Sequence, residues 1–262
     1  GSLLATANNL LIGAGQGYYT KGTIDEVRVS STARSPEEIA EAYRAGRDHR
    51  IERTLSSTDL SSKTKIPFYV AADRPGTYLE TYVGETSHSV YGADASTGGL
   101  WHLDEKSGSG AYIKDSSGNG NHGTPTGTSF TQGKIGYGRY FDGTDDYIYT
   151  SSSYTNPLTF TIEVWFKTSS ASGKKIIGFE SNQSGTGSTG YDRHLYVGTN
   201  GLLYFGVYDG SVKTITSNNI VSDNQWHYAV AILYSSTMYL YLDDNFQNSL
   251  NIGTAQNYSG YW

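Results

Sequence analysis

Thr23-Ile24-Asp25-Glu26-Val27-Arg28-Val29 is the stretch on which the fold turns. Its apolar and polar residues alternate, the pattern of a strand with one buried face. Just upstream, Asn9-Leu10-Leu11-Ile12-Gly13 is a short apolar run ending at glycine. Just downstream, residues 35–47 carry the one helical pattern. Ser35 suits an N-cap, Pro36 the first helical position, and Glu37 and Glu38 the first turn. Ile39, Ala42 and Tyr43 fall on one face, and Gly46 is placed to end the helix.

Beyond residue 48 the chain becomes polar and linker-like. Residues 65–84 then read as a hairpin turning at Asp73-Arg74-Pro75-Gly76. From residue 98 onward, strand patterns recur at near-regular spacing, among them Leu158–Lys167, Lys175–Glu180, His194–Val197, Leu202–Tyr208, His227–Tyr234 and Met238–Asp243. That spacing is the signature of a sandwich or jelly roll. Composition agrees. With 23 tyrosines, 32 glycines and only 17% charged residues, the chain suits thin, half-wet sheets joined by turns.

The net charge of −6, with no basic cluster after Arg53, argues against a nucleic-acid partner. No apolar run reaches the ~18 residues a membrane span needs.

Several motifs agree with one family. Gly99-Leu100-Trp101-His102-Leu103-Asp104-Glu105 resembles the opening strand of a laminin-G-like, concanavalin A-like jelly roll. Asp115-Ser116-Ser117-Gly118-Asn119-Gly120-Asn121-His122-Gly123 resembles that family's polar turn. Tyr140–Ile148, Phe160–Phe166, Gln225–Val230 and Tyr239–Asp244 resemble its successive strands, in order. The family's closing stretch stands at the opposite end, as Leu10–Gly13, Gly22–Val29 and Ser35–Ala45. Writing residues 99–262 and then 1–47 gives one complete domain in permuted order.

The expected fold class is therefore all-β, a laminin-G-like jelly-roll β-sandwich with one short helix and a small β-hairpin connector. Its parts are the closing strands and helix at 1–47, the connector at 48–98 and the main jelly roll at 99–262. Three origins fit this order: a repeat cut from a tandem array, a true permutant closed on itself, or strand donation between copies. Open sheet edges and half a core favour the first and third. A non-closing head-to-tail contact makes a filament.

The resemblance implies an extracellular module that is not an enzyme. One reading is a structural or adhesive unit whose partners are copies of itself. The other is a calcium-dependent, glycan-binding module of a larger secreted protein. For structural Ca²⁺ the resemblance offers Asp115 and Asp25, with Asn119 and Asn121 adding oxygens. The alternative is that these residues satisfy turn backbone. Tyr204, Tyr208, Tyr239 and Tyr241 are candidates for a glycan-binding or fibre-packing surface, against a plain solvated sheet face. Asp142, Asp145 and Asp146 form a second acidic cluster, read as a hairpin turn. Catalysis has little support. Glu163 stands inside its strand without a companion carboxylate, and no histidine pair has zinc spacing.

Overall fold

The computed structural model describes residues 11–15, 17–47, 92–150, 154–172, 174–183 and 187–260. The hairpin expected over 65–84 and most of the connector lie outside these residues, as does Trp262.

The strands in the first part of the chain are β1 (Leu11–Ile12), β2 (Ala14–Gly15), β3 (Tyr18–Tyr19) and β4 (Lys21–Ser30), followed by helix α1 (Pro36–Arg47). After the undescribed stretch come β5 (Thr97–Trp101), β6 (Gly123–Thr126), β7 (Ser129–Gln132), β8 (Tyr137–Asp142), β9 (Tyr147–Thr150) and β10 (Tyr154–Thr155). The remainder holds β11 (Phe160–Lys167), β12 (Lys174–Glu180), β13 (Tyr191–Val197), β14 (Leu202–Tyr208) and β15 (Val212–Ile220). It ends with β16 (Trp226–Tyr234), β17 (Thr237–Leu242), β18 (Asn245–Asn251) and β19 (Ser259–Gly260).

Among the described residues these strands form two small two-stranded sheets, β2-β3 and β10-β19, and two large antiparallel ones. One has seven strands in the order β15-β14-β13-β12-β1-β9-β6. The other has eight: seven run β18-β17-β16-β11-β4-β8-β7, and β5 also pairs with β4. The early segment thus enters the interior of both sheets. β1 lies between β12 and β9, and β4 between β11 and β8. In this structure the sandwich closes within one chain.

Alternation along the strands fills the space between the sheets. Ile162, Val164 and Phe166 of β11, Ala229 and Ala231 of β16, and Leu195, Phe205 and Ile177 from the facing sheet share one buried cluster. Each fully buried Val, Leu, Ile or Phe side chain among these contributes roughly 1.5–3 kcal/mol. Gly13 supplies the close approach beside β1. It has a φ of +86°, and a Cβ there would run into the Phe141 ring.

The deciding stretch is not one regular strand. Asp25 and Glu26 are two polar residues in succession, so simple alternation would carry Val27 and Val29 off the face that Ile24 occupies. β4 instead carries a bulge. Its register against β11 shifts between Glu163 and Trp165, and Glu26 adopts a φ of +49°. The extra residue returns Val27 and Val29 to the buried cluster that holds Ile24.

α1 covers the outer face of the eight-stranded sheet. Ser35 and Glu38 cap it reciprocally: the Glu38 amide donates to Ser35 Oγ, and Glu38 Oε2 accepts from the Ser35 amide. Ile39 and Ala42 pack on Trp165, Tyr228, Val230 and Ile232. Tyr43 stacks on Trp165 at 5.6 Å. Gly46 does not end the helix, which runs on to Arg47. It is glycine because a Cβ there would collide with the Trp165 indole. Beside this layer, Glu163 accepts from both Arg28 Nε and Nη2 (2.5 and 2.6 Å) and from the Tyr228 hydroxyl (2.5 Å). The strand carboxylate is therefore an ion-pair anchor.

Candidate functional site

The polar turn after β5 is a backbone lock. Asp115 Oδ1 accepts from the amides of Leu100 (3.0 Å) and Ser117 (2.9 Å). Its Oδ2 accepts from Ser117 Oγ (2.8 Å) and the Asn121 amide (2.9 Å). These four donors use the full acceptor capacity of a carboxylate. Asn119 donates to the carbonyls of Thr97 and Gly98, and Asn121 to Gly98 and the Tyr154 hydroxyl. Asp25 is engaged elsewhere, accepting from the amides of Glu26, Lys134 and Ile135. The four donors on Asp115 are those of a satisfied turn, and Asp25 shares no hydrogen-bond partner with Asp115 among the described residues. Asn121 Oδ1, by contrast, is buried without a hydrogen-bond partner, so one oxygen of the expected Ca²⁺ set stays unclaimed.

The ligand atoms of Asp142, Asp145 and Asp146 do gather within 4.8 Å of one another. Asp146 Oδ2 accepts from the Asp142 amide and Asp142 Oδ1 from the Thr144 amide, so two of the three hold the β8–β9 turn.

The four surface tyrosines do not share a surface. Tyr239 and Tyr241 pack with the cluster beneath α1, on the eight-stranded sheet. Tyr204 and Tyr208 belong to β14 of the opposite sheet. Strand parity places residues of one strand on one face, but which sheet each strand joins is a tertiary matter.

On that opposite sheet lies an open trough of about 740 Å³. Its aromatic lining is Tyr18, Tyr191, Tyr196 and Tyr208. Tyr191 and Tyr208 are 49% and 37% exposed, so their rings are available to a ligand. Tyr204 buttresses the trough from beside it, stacking on Tyr196 at 5.0 Å. Between the rings, Lys175, Asp192, His194, Thr214 and Gln256 supply polar groups. Glycines keep the trough deep. A Cβ on Gly178 would meet His194 Cδ2 at 2.5 Å, and one on Gly206 would project between Thr214 and Tyr196.

The floor is electrostatically closed. Lys175 Nζ pairs with Glu180 Oε1 and donates to His194 Nε2 at 3.0 Å. That bond assigns the His194 proton to Nδ1. Glu180 Oε2 accepts from Ser188 Oγ at 2.8 Å. Burial and the charges of Lys175 and Arg193 hold the His194 imidazole well below its ordinary range, so it is neutral near pH 7. Burial draws the Lys175 ammonium down while Glu180 opposes this. Burial raises the Asp192 carboxyl, against the Arg193 guanidinium paired with it.

Of the tyrosines named from the sequence, Tyr208 lines this trough and Tyr204 stands beside it, whereas Lys175, Glu180, His194 and the floor glycines were not named as site residues. Lys175 and Glu180 are five residues apart in β12, which strict alternation would put on opposite faces. Register shifts between Lys175 and Ile177 and between Ile177 and Phe179 bring them together. His194 and Tyr196, two apart on β13, were the available signal.

Residues 142–260 match the family model of the concanavalin A-like lectin/glucanases superfamily, in its laminin-G form. With the antiparallel sandwich, this supports a laminin-G-like jelly-roll family. No curated protein and no solved structure matches the chain. Domains of this class are typically non-enzymatic binding modules. Among the described residues no helix is long and apolar enough to cross a membrane.

Proposed function

We propose that the protein is an extracellular, non-enzymatic, carbohydrate-binding module and that the trough on the seven-stranded sheet is its binding surface. One observation carries the reading: exposed tyrosine rings stand around a glycine floor dotted with hydrogen-bonding groups. Aromatic faces suit the apolar faces of pyranose rings, and the polar groups between them suit hydroxyls. Glycoside hydrolysis would need two available carboxylates. Here Glu180 is fully buried against Lys175, and Asp192 is bound by Arg193 and the Tyr258 hydroxyl. The test is calorimetric titration with neutral oligosaccharides of the wild type and of Tyr191→Ala/Tyr208→Ala. Binding that falls at least about tenfold in the double variant supports the reading, since losing two stacking rings removes more than 1.4 kcal/mol. Binding untouched by the variant, or no binding at all, overturns it.

A second reading, a structural or adhesive unit assembled head to tail, has its own supporting observation. The interior strands β1 and β4 come from the early segment, and residues 48–91 separate that segment from the strands they complete. Copies that exchanged residues 11–47 would link in series. Regular fibres of native material in electron microscopy support it. Particles of one chain's mass at all concentrations overturn it.

A further inference from the structure

Resting on the trough as the binding surface, we infer that the buried Lys175–Glu180 ion pair makes it selective for uncharged glycans, with Glu180 as the specificity-determining residue. Of the described residues lining the trough, only Lys175 and Asp192 carry a formal charge. Each is cancelled by a partner set behind the surface. Lys175 is paired with Glu180, whose side chain is fully buried, and Asp192 with Arg193, also fully buried. His194, the remaining titratable group on the floor, is neutral, and its Nε2 is already occupied by Lys175. It offers only an Nδ1–H donor.

A ligand therefore meets dipoles and rings but no net charge. A uronate or sulfated sugar would have to leave water without gaining a counter-charge, which is costly in a partly buried site. The pair is sealed from the side as well. A Cβ on Gly15 of β2 would overlap both Lys175 Nζ and Glu180 Oε1, so the early segment packs directly on it.

Glu180→Gln keeps the shape and leaves Lys175 without its counter-charge; burial then disfavours the ammonium further, and an acidic ligand in the trough can take the place of Glu180 in holding it charged. The experiment compares hexamers of glucose, mannose and xylose with a hexamer of galacturonic acid, titrated calorimetrically at low salt. The proteins are the wild type, Glu180→Gln and Lys175→Gln/Glu180→Gln. The wild type should bind a neutral hexamer and the acidic one at least tenfold more weakly. Glu180→Gln should gain about tenfold for the acidic hexamer, the scale of one charge-assisted hydrogen bond, and lose that gain as salt rises. The double variant, with no charge to expose, should return to neutral preference. That return separates a charge effect from loss of structure, and thermal unfolding of each variant checks the fold.

An acidic-to-neutral ratio that stays the same in Glu180→Gln, or a wild type that prefers the acidic hexamer, overturns the inference while leaving the trough as binding surface. A wild type that binds no hexamer overturns the binding reading itself.

Discussion

The two outer faces of the sandwich start from the same strand geometry and end differently. On the eight-stranded sheet, Trp165, Tyr228, Val230 and Ile232 point away from the central core. They are too large and apolar to leave in water, and α1 covers them. On the seven-stranded sheet the outward positions hold Lys175, Gly178, His194, Tyr196, Gly206 and Thr214. Among the described residues no helix lies over these. A sheet face that is wide, aromatic and greasy recruits a layer. A face of glycines, hydroxyls and half-exposed tyrosines stays open and keeps its depth. The lesson is that side-chain size on alternate positions decides whether a sheet face becomes core or site.

The sharpest way to break this contrast is to remove the anchor of the covered face. Glu163→Ala strips Arg28 of its bidentate acceptor and Tyr228 of its hydroxyl partner. Removing one partner of this buried ion pair should cost about 3–5 kcal/mol, read as a fall in the urea midpoint at constant slope. A loss below about 1 kcal/mol would mean that the ion pair does not hold that face together.

A matched glycine pair sharpens the contrast further. Gly46→Val pushes a branched side chain into the Trp165 indole and should destabilise by about 1–3 kcal/mol. A Cβ on Gly206 would meet its nearest atoms at 3.6 Å, an ordinary contact, and Gly206→Val would project its methyls into the trough. It should leave the fold within about 1 kcal/mol of wild type while weakening glycan binding. If both variants behaved alike in unfolding, the two faces would not differ as described.

The smallest effect is on pH dependence. His194 titrates well below 6.5 in the fold because burial, Lys175 and Arg193 all disfavour its charge. Its contribution is complete above pH 6.5 and is lost as pH falls from there towards its folded value. His227, on the eight-stranded sheet, has the opposite sign. Burial lowers it, but Asp243 and then Asp223 outweigh that and raise it. Its contribution is complete below pH 6.5 and is lost as pH rises through the raised value. His194→Gln should flatten the acid limb of a stability–pH curve, and His227→Gln the near-neutral limb. Swapped effects would reverse the assignment.

Much of this was legible beforehand. Most strand motifs from Phe160 to Leu242 sit within a residue or two of their patterns, because alternation and turn chemistry are local; β13 begins three residues before its pattern, and β15 had none named. The helix at Pro36–Arg47 was marked by Ser35, Pro36 and its acidic first turn, again local signals. Gly46 was misread because the Trp165 ring that forbids a side chain there is distant in sequence. The Asp25-Glu26 bulge was misread as simple alternation, although two polar residues stand in succession there, because only the facing core requires the extra residue. The motif at Asp115 was readable as a polar turn, but the direction of its carboxylate had to be seen before calcium could be set against backbone capping.

By itself, then, the sequence determined an all-β sandwich, the strands that build it and the place of its displaced closing segment, since each rests on short-range periodicity and motif order. Only the tertiary structure decided that β1 and β4 close the sheets of their own chain, that the tyrosines divide between opposite faces, and that Lys175 meets Glu180 beneath the trough. Those facts depend on strand order, register shifts and close packing between residues far apart in the chain, and no local pattern encodes them.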